Sequence, residues 1–330
     1  MRSWNRPLLA FGGAMILLVP VCLAGLLLDP RTLGGAPIWA KPLKFSISFV
    51  LYAPTLAWMV SLVGGRRSGA ELDPRGEDRM HRRASVAATV VAVASTIEMI
   101  AIVGQVVRGV GSHFDVATPF DTAVWAVMGS SIAVLWVANL AIAVLLLRER
   151  SLAPATAWAV RLGLAVSLLG MAVAFLMVGP TGAQIAGAKA TGTMTTSGAH
   201  AVGVPDGGAG LPLLGWSTTG GDLRIGHFVG LHGMQVVPLV ALGLLLLAPR
   251  VAVLRPERVR VRLVLVAAGA WTGLTLLLTG QALRGQPLLA PDAWTLGAAA
   301  ALVVGTLFAV STVLRTAPRP VADESVAVPA

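Results

Sequence analysis

Long apolar runs separated by shorter polar segments dominate the sequence. A helix needs about 20 apolar residues to cross the hydrocarbon core of a bilayer, and eight runs come close to that length. They lie at 8–28, 43–63, 84–107, 122–147, 162–178, 227–248, 263–281 and 295–314. This pattern predicts an all-α fold, a polytopic transmembrane bundle of about eight helices within a single domain, 1–314. We expect the tail, 315–330, which is rich in Pro, Ala and Val, to be disordered and cytoplasmic.

The positions of lysine and arginine predict how the helices cross the membrane. Basic residues accumulate in the short loops on the cytoplasmic side. With the N-terminus inside, 18 of the 25 Lys and Arg residues fall in cytoplasmic segments. The other seven are Arg31, Lys41, Lys44, Arg108, Lys189, Arg224 and Arg284. We therefore expect a multi-pass protein of the bacterial inner membrane, with the N-terminus and the C-terminus in the cytoplasm.

Composition supports a membrane protein and narrows its chemistry. Hydrophobic residues make up 56 % of the chain and charged residues only 12 %, whereas a soluble domain carries about 25 % charged residues. The net charge of +10 does not indicate a nucleic-acid partner, because the arginines flank apolar runs, where they contact membrane lipids. Cys22 is the single cysteine, which excludes an internal disulfide, a Cys-based zinc site and an iron–sulfur cluster.

One outer loop differs from the other connections. The predicted periplasmic segment 179–226 is long, rich in Gly and Thr, and nearly uncharged until Asp222. Loops of this length are usually functional or disordered. Composition does not decide between the two, so the role of this loop stays open.

A short motif occurs twice and suggests an internal repeat. Gly104-Gln105-Val106-Val107-Arg108-Gly109 ends the third predicted helix, and Gly280-Gln281-Ala282-Leu283-Arg284-Gly285 ends the seventh. An offset of four helices keeps the same direction through the membrane, so the pattern fits a parallel four-plus-four duplication. The alternative is chance similarity in a chain rich in Gly, Val and Leu.

Glu98 is the clearest polar residue inside a predicted membrane helix. An ionisable group near a helix centre costs about 2.5–3.5 kcal/mol on insertion scales, so such groups face the protein interior and often mark functional sites. Glu98 precedes Arg108 by ten residues, which places it roughly 15 Å below the outer helix end. Steps of three and four residues give one inward-facing stripe, which comprises Ser95, Glu98, Ala101, Gln105 and Arg108.

Other predicted helices add polar faces at the same leaflet. His232 and Gln235 share one face of the sixth helix, whereas His227 is rotated from His232 by about 140°. The two histidines therefore lack the i, i+4 spacing of a zinc-binding helix. The second helix adds a face with Lys44, Ser48, Tyr52 and Thr55. We predict that these faces form an outward-opening intramembrane pocket. Its candidate residues are Lys44, Glu98, Gln105, Arg108, His113, Asp222, Arg224, His227, His232, Gln235, Gln281 and Arg284.

Several of these polar residues also have a purely structural interpretation. Glu98 would form a salt bridge, His113 would be an ordinary interface residue, and His232 would hydrogen-bond between helices. The remaining structural roles are capping or snorkelling for Arg108 and Arg284, and N-capping, which is favoured, for Asp121 and Asp292.

Several motifs resemble those of a family of uncharacterised bacterial polytopic inner-membrane proteins. The resemblance covers most helices but implies no activity. The stretch from Thr181 to Pro212 departs from the shorter loop of that family, so the resemblance implies no role for His200. The motifs are Trp39-x-Lys41-Pro42-x-Lys44-Phe45, Glu98 with Gln105-x-x-Arg108-Gly109-x-x-Ser112-His113-Phe114, Thr118-Pro119-Phe120-Asp121 and Gly221-Asp222-Leu223-Arg224-x-x-His227-Phe228-x-Gly230-Leu231-His232-x-x-Gln235.

Three classes of function fit these residues. The first is binding or transport of a small molecule or ion, periplasmic or lipid-borne, with Glu98 as a proton- or cation-coupled group. The second is a membrane-embedded metal or haem enzyme, in which His113, His227 and His232 with Glu98 would ligate the metal. The third is a sensory or assembly subunit. The sequence requires no cofactor, although haem or a transition metal would fit the second class, and it leaves the oligomeric state open.

Overall fold

The computed structural model describes residues 4–64 and 74–318. Within these ranges the chain forms a bundle of α-helices with two pairs of two-residue antiparallel strands, β1 (Thr32–Leu33) with β2 (Ala36–Pro37) and β3 (Ala201–Val202) with β4 (Gly221–Asp222). The predicted all-α fold is therefore confirmed. The part of the predicted disordered tail beyond residue 318 lies outside the described residues. The helices are α1 (Arg6–Leu28), α2 (Ala40–Leu62), α3 (Pro74–Arg108), α4 (Pro119–Arg148), α5 (Pro154–Val173), α6 (Gly182–Thr191), α7 (Leu223–Leu231), α8 (Gly233–Leu247), α9 (Glu257–Leu283) and α10 (Ala293–Arg315).

Seven of the described helices are long and apolar enough to cross a membrane, and the bent pair α7–α8 adds an eighth span when it is counted as one. Large apolar side chains cover the outside of the bundle. On α10, for example, Leu307 and Phe308 are 63 % and 71 % exposed. Such a surface needs lipid rather than water around it, which fits a multi-pass membrane protein.

Helix ends follow capping chemistry, and this corrects one expectation. The Asn5 side chain accepts from the Leu8 amide (2.9 Å) at the start of α1, and Asp292 accepts from the Thr295 amide (2.8 Å) at the start of α10. Asp292 is thus an N-cap, as predicted. Asp121 is not, because Thr118 occupies that position and accepts from the Asp121 amide (3.1 Å). Asp121 lies in the first turn, where its charge favours the helix N-terminus.

The predicted sixth helix, 227–248, is not continuous. It is two helices, α7 and α8, which meet at His232 with a bend of 41°. Gly230 of α7 packs directly on Gly170 of α5, so two backbones touch where a side chain would not fit. At the break, the Val229 carbonyl accepts from the Trp271 indole N–H (2.7 Å) rather than from the next helical turn. A foreign donor inserted into the helical ladder is a common cause of a kink.

Replacing Trp271 by phenylalanine should destabilise the protein, because the Val229 carbonyl loses its donor. An unsatisfied buried acceptor costs about 1–3 kcal/mol, so the melting temperature in detergent should fall by several degrees. Trp294→Phe is the matched control, since Trp294 is 81 % exposed at the start of α10. Equal melting temperatures for the two variants would show that the hydrogen bond from the Trp271 indole does not stabilise the bent junction between α7 and α8.

The two halves of the bundle share a packing pattern. In the first half α1 packs on α2 and α3, and α3 packs on α4. In the second half α5 packs on the α7–α8 pair and on α9, and α9 packs on α10. Because these are the same pairings four spans apart, the pattern is the one that the predicted duplication would produce.

The repeated Gly-Gln-x-x-Arg-Gly motif has the same geometry in both copies. The closing glycines, Gly109 and Gly285, have φ values of +79° and +72°, a left-handed conformation that favours glycine. Each glutamine Nε2 donates to the carbonyl six residues later, Gly111 (3.2 Å) in one copy and Pro287 (2.8 Å) in the other. Each arginine pairs with an aspartate at the start of the next helix, Arg108 with Asp121 and Arg284 with Asp292. The motif thus fastens one helix end to the following helix start.

The long segment between α5 and α7 is folded against the bundle. It contains α6, whose Thr181 and Gln184 form a reciprocal capping box. Backbone bonds join it to the loop after α3, with Ser197 N–H donating to the Phe114 carbonyl (2.8 Å) and Val116 N–H to the Thr195 carbonyl (3.0 Å). This segment covers the end of the bundle at which α1, α3, α5 and α9 terminate. We call this end the cavity end, because a cavity opens there.

Candidate functional site

A cavity of about 630 Å³ opens at the cavity end of the bundle. It lies between α2, α3, α4 and α7, beneath the segment that follows α6. Its volume falls within the range of about 300–1,000 Å³ that is typical of small-molecule sites. The walls are mostly apolar and aromatic, and a few charged side chains project into the space.

Glu98, His113 and Lys41 form a polar chain along one wall of the cavity. Glu98 Oε1 lies 3.2 Å from His113 Nε2, and Lys41 Nζ lies 2.9 Å from His113 Nδ1. Because an ammonium group only donates, Lys41 donates to Nδ1, and the imidazole proton is then on Nε2, facing Glu98. The three groups come from α3, from the loop after it and from the first turn of α2.

Glu98 is buried without a full set of hydrogen bonds. The side chain is 1 % exposed, and among the described residues no group donates a well-aligned hydrogen bond to either carboxylate oxygen. Ser95, one turn earlier on the same face of α3, is also buried with its hydroxyl unpaired. Buried polar groups are normally fully hydrogen-bonded, so a buried carboxylate beside a cavity that has only the 3.2 Å contact with His113 among the described residues points to a functional role.

The loop after α3 places the His113 ring inside the bundle. Phe114 has a φ of +67°, which a bulky residue rarely adopts, and the rings of His113 and Phe114 both line the cavity. The Phe114 ring then packs on Trp125 (centroids 5.1 Å apart) and on His200 (4.7 Å). Burial, and then the charge of Lys41, lower the pKa of His113 below its usual value, so the ring is neutral at neutral pH.

His200 and Asp206 belong to the covering segment and form part of the cavity roof. Asp206 accepts from the His200 ring (Nδ1–Oδ2, 2.8 Å) and from the backbone amides of His200 and Ala201. Burial lowers the pKa of His200 to about 4, although the bond to Asp206 opposes the shift. The Asp206 carboxylate therefore has its partners within the roof itself.

Arg224 and Asp222 form the pair at the start of α7. Asp222 is fully buried and is the N-cap, accepting from the Arg224 amide (3.1 Å) and from the Ser217 amide (2.8 Å). The Arg224 guanidinium pairs with Asp222 (2.5 Å) and donates to the Gly215 carbonyl (2.6 Å). Arg224 lines the cavity, whereas Asp222 lies behind it and fixes its position.

The predicted pocket residues divide into two groups. Lys44, Glu98, His113, Arg224 and His227 line the cavity. The others lie elsewhere: Asp222 behind Arg224, His232 and Gln235 around the α7–α8 break, and Gln105, Arg108, Gln281 and Arg284 in the two helix-end motifs.

The histidines predicted as metal ligands do not form a metal site with Glu98. Within the described ranges, no group of three or more His, Cys, Asp or Glu side chains is arranged to hold a metal ion. His227 Nδ1 is 2.8 Å from the Gly170 carbonyl, and His232 caps the end of α7. Only His113 contacts Glu98.

Several cavity residues were not among the predicted site residues. Lys41 had a signal, because it lies three residues before Lys44 and therefore on the same helical face. Trp125 and Met128 look like ordinary apolar residues of α4, and nothing in the sequence marks them as cavity walls. His200 and Asp206 reach the cavity only through the fold of the long segment.

No protein-family model matches the chain, and no curated protein or solved structure matches it.

Proposed function

We propose that this chain is a bacterial inner-membrane protein that binds a small molecule in the cavity and carries it across the bilayer, and that it belongs to the multi-pass family that its motifs resemble. The observation that carries the proposal is a cavity of about 630 Å³ bordered by the buried, incompletely paired carboxylate of Glu98. A void of this size, with few polar groups in apolar walls, is typical of a ligand site.

The distribution of basic residues supports an outward-facing cavity. Arg79, Arg82 and Arg83 lie on α3 at the end opposite to the cavity, and Arg258, Arg260 and Arg262 lie at the corresponding end of α9. Basic residues favour the cytoplasmic side, so the cavity end faces the periplasm in this proposal. The ligand then enters from the periplasm or from the outer leaflet.

Glu98 gives the proposed site a buried acidic group. It contacts His113, which contacts Lys41, so a change in the charge of the cavity contents acts on three linked groups. Acidic residues of this kind mark proton and ion pathways in membrane proteins. We propose that Glu98 couples ligand binding to proton or cation exchange.

Native mass spectrometry of the gently solubilised protein tests the proposal. Gly129 lines the cavity and has open space around the position of an added Cβ, so Gly129→Phe fills the cavity from the wall of α4. Gly305→Phe is the matched control, because Gly305 is exposed on α10 with open space around it. We expect a bound small molecule on the wild type and on Gly305→Phe, and its loss from Gly129→Phe.

Equal retention by all three proteins would contradict a ligand in this cavity. Elemental analysis and an absorption spectrum of the same samples address the alternative function. Stoichiometric metal or a Soret band would favour a metal or haem enzyme over a carrier.

A further inference from the structure

We infer that the ligand is an amphipathic anion, with its charged head group at Lys41 and Lys44 and its apolar body between the aromatic walls. This inference rests on the proposed function and names the chemical class of the ligand. Three features support it: the charges that line the cavity, the partners that those charges already have, and the walls beneath them.

The two cavity lysines lack acidic partners. Within the described residues, no carboxylate lies within 4.0 Å of Lys41 or Lys44, whereas every aspartate and glutamate near the cavity has another partner. Lys44 Nζ donates to the Leu214 carbonyl (2.7 Å), and Lys41 contacts the neutral His113. Two ammonium groups therefore face the cavity with unused hydrogen-bond donors.

Three positively charged side chains lie close together at the cavity. Lys41, Lys44 and Arg224 all line the cavity, and each lysine is near enough to Arg224 to be repelled by it. Asp222 pairs directly with Arg224 (2.5 Å). It also attracts Lys44, as Glu98 and Asp206 attract Lys41, but none of these carboxylates is within salt-bridge distance of either lysine among the described residues. A cluster of cations with one paired member favours an anion between them, because that anion relieves the repulsion and fills the free donors.

The two cavity lysines also lie at the start of a helix. Lys41 and Lys44 occupy the first two turns of α2, which has no acidic residue in its first turn and no side-chain N-cap. The positive end of the helix dipole therefore adds to the two ammonium charges.

Below the lysines the cavity is suited to an apolar body. Phe45, Phe49 and Tyr52 continue along the same face of α2, with neighbouring ring centroids 6.4 Å and 6.1 Å apart. Trp125 and Trp136 of α4 line the cavity as well. A ligand with a charged head and an apolar tail therefore meets a matching surface at each end, whereas a small inorganic anion would leave the aromatic surface uncovered.

Calorimetric titration of the full chain in phosphatidylcholine nanodiscs tests this assignment. The anionic probe is decanesulfonate, compared with decanol, with decyltrimethylammonium and with methanesulfonate, which lacks the apolar body. We expect decanesulfonate to bind about tenfold or more tightly than each of the others, since a hydrogen bond to a charged group is worth about one factor of ten in affinity.

Substitution of the lysine identifies the head-group site. Lys44→Gln should weaken decanesulfonate binding about tenfold, and Lys44→Arg should retain most of the affinity because the charge is kept. Lys189→Gln is the matched control, since Lys189 is the chain's one other lysine and lies on α6, away from the cavity lining. The three variants should melt at similar temperatures.

The possible results separate the two proposals. Equal affinity for decanol and decanesulfonate, with no effect of Lys44→Gln, would overturn the anionic head group and leave a ligand-binding cavity. Binding of no compound at all would overturn the amphipathic anion, whereas the proposed function is overturned only by equal retention of a bound molecule in the wild type, Gly129→Phe and Gly305→Phe. Nanodiscs with phosphatidylglycerol distinguish the source of the head group: weaker decanesulfonate binding there indicates competition by an anionic lipid, and unchanged binding indicates a water-borne amphiphile.

Discussion

Replacing Gly170 by alanine is expected to destabilise the protein strongly, although it adds only one methyl group. A Cβ at Gly170 would overlap the Leu231 amide nitrogen and the Gly230 carbonyl carbon, which are backbone atoms and have no rotamer to change. Overpacking of this kind costs about 1–3 kcal/mol, and more when backbones must separate. We expect the melting temperature in detergent to fall by about 5–10 °C.

Gly243→Ala is the control for this prediction. Gly243 lies within α8, and an added Cβ there meets open space. Alanine favours a helix over glycine by about 1 kcal/mol, so this variant should be at least as stable as the wild type. If Gly170→Ala had the same melting temperature as Gly243→Ala, the close contact between α5 and α7 would be contradicted.

Glu98→Gln should raise the affinity for the anionic probe decanesulfonate. The substitution keeps the shape of the side chain and removes a negative charge from a buried wall of the cavity. At an effective dielectric constant of about 20, charges several ångströms apart interact by a few kcal/mol, so we expect binding to be tightened about tenfold or more. The measurement is the calorimetric dissociation constant in neutral nanodiscs.

Asp115→Asn is the matched control for Glu98→Gln. Asp115 lies in the same loop as His113 but does not line the cavity, and it accepts from the Ala117 amide (3.0 Å). Its neutralisation should leave the affinity nearly unchanged. Weaker or equal binding by Glu98→Gln would contradict the electrostatic role that we assign to this carboxylate.

The helix ends show why the sequence predicted most of the fold. The period and length of apolar runs identify spans whether or not tertiary contacts are known. They underestimate the helices, because α3 begins at Pro74, in a polar stretch before the apolar run, and α5 begins at Pro154, before Arg161, after which the predicted run starts. The bend at His232 depends on Gly170 and on Trp271, which are distant in sequence, so periodicity could not reveal it.

The candidate site was only partly predictable, because the cost of burying a polar side chain identifies polar residues inside helices but not what they contact. Burial cost makes Glu98 conspicuous in a membrane helix, and the structure places it beside the cavity. Burial cost also singles out Gln105, which pairs with Asp121 (3.0 Å) in a helix-end motif. A polar residue near a helix end has local backbone partners available, so polarity alone does not distinguish a fastening group from a pocket group.

If the protein is the proposed carrier, the paired helix-end motifs limit how its bundle opens. Because Arg108 ties α3 to the start of α4, and Arg284 ties α9 to the start of α10, we expect each of these two hairpins to turn as a unit. Lys41 and Lys44 belong to the neighbouring hairpin of α1 and α2, and Glu98 to that of α3 and α4. A relative tilt of the two hairpins therefore alters the separation between the cations and the carboxylate, so that ligand release and a change in the local electric field would be one and the same movement.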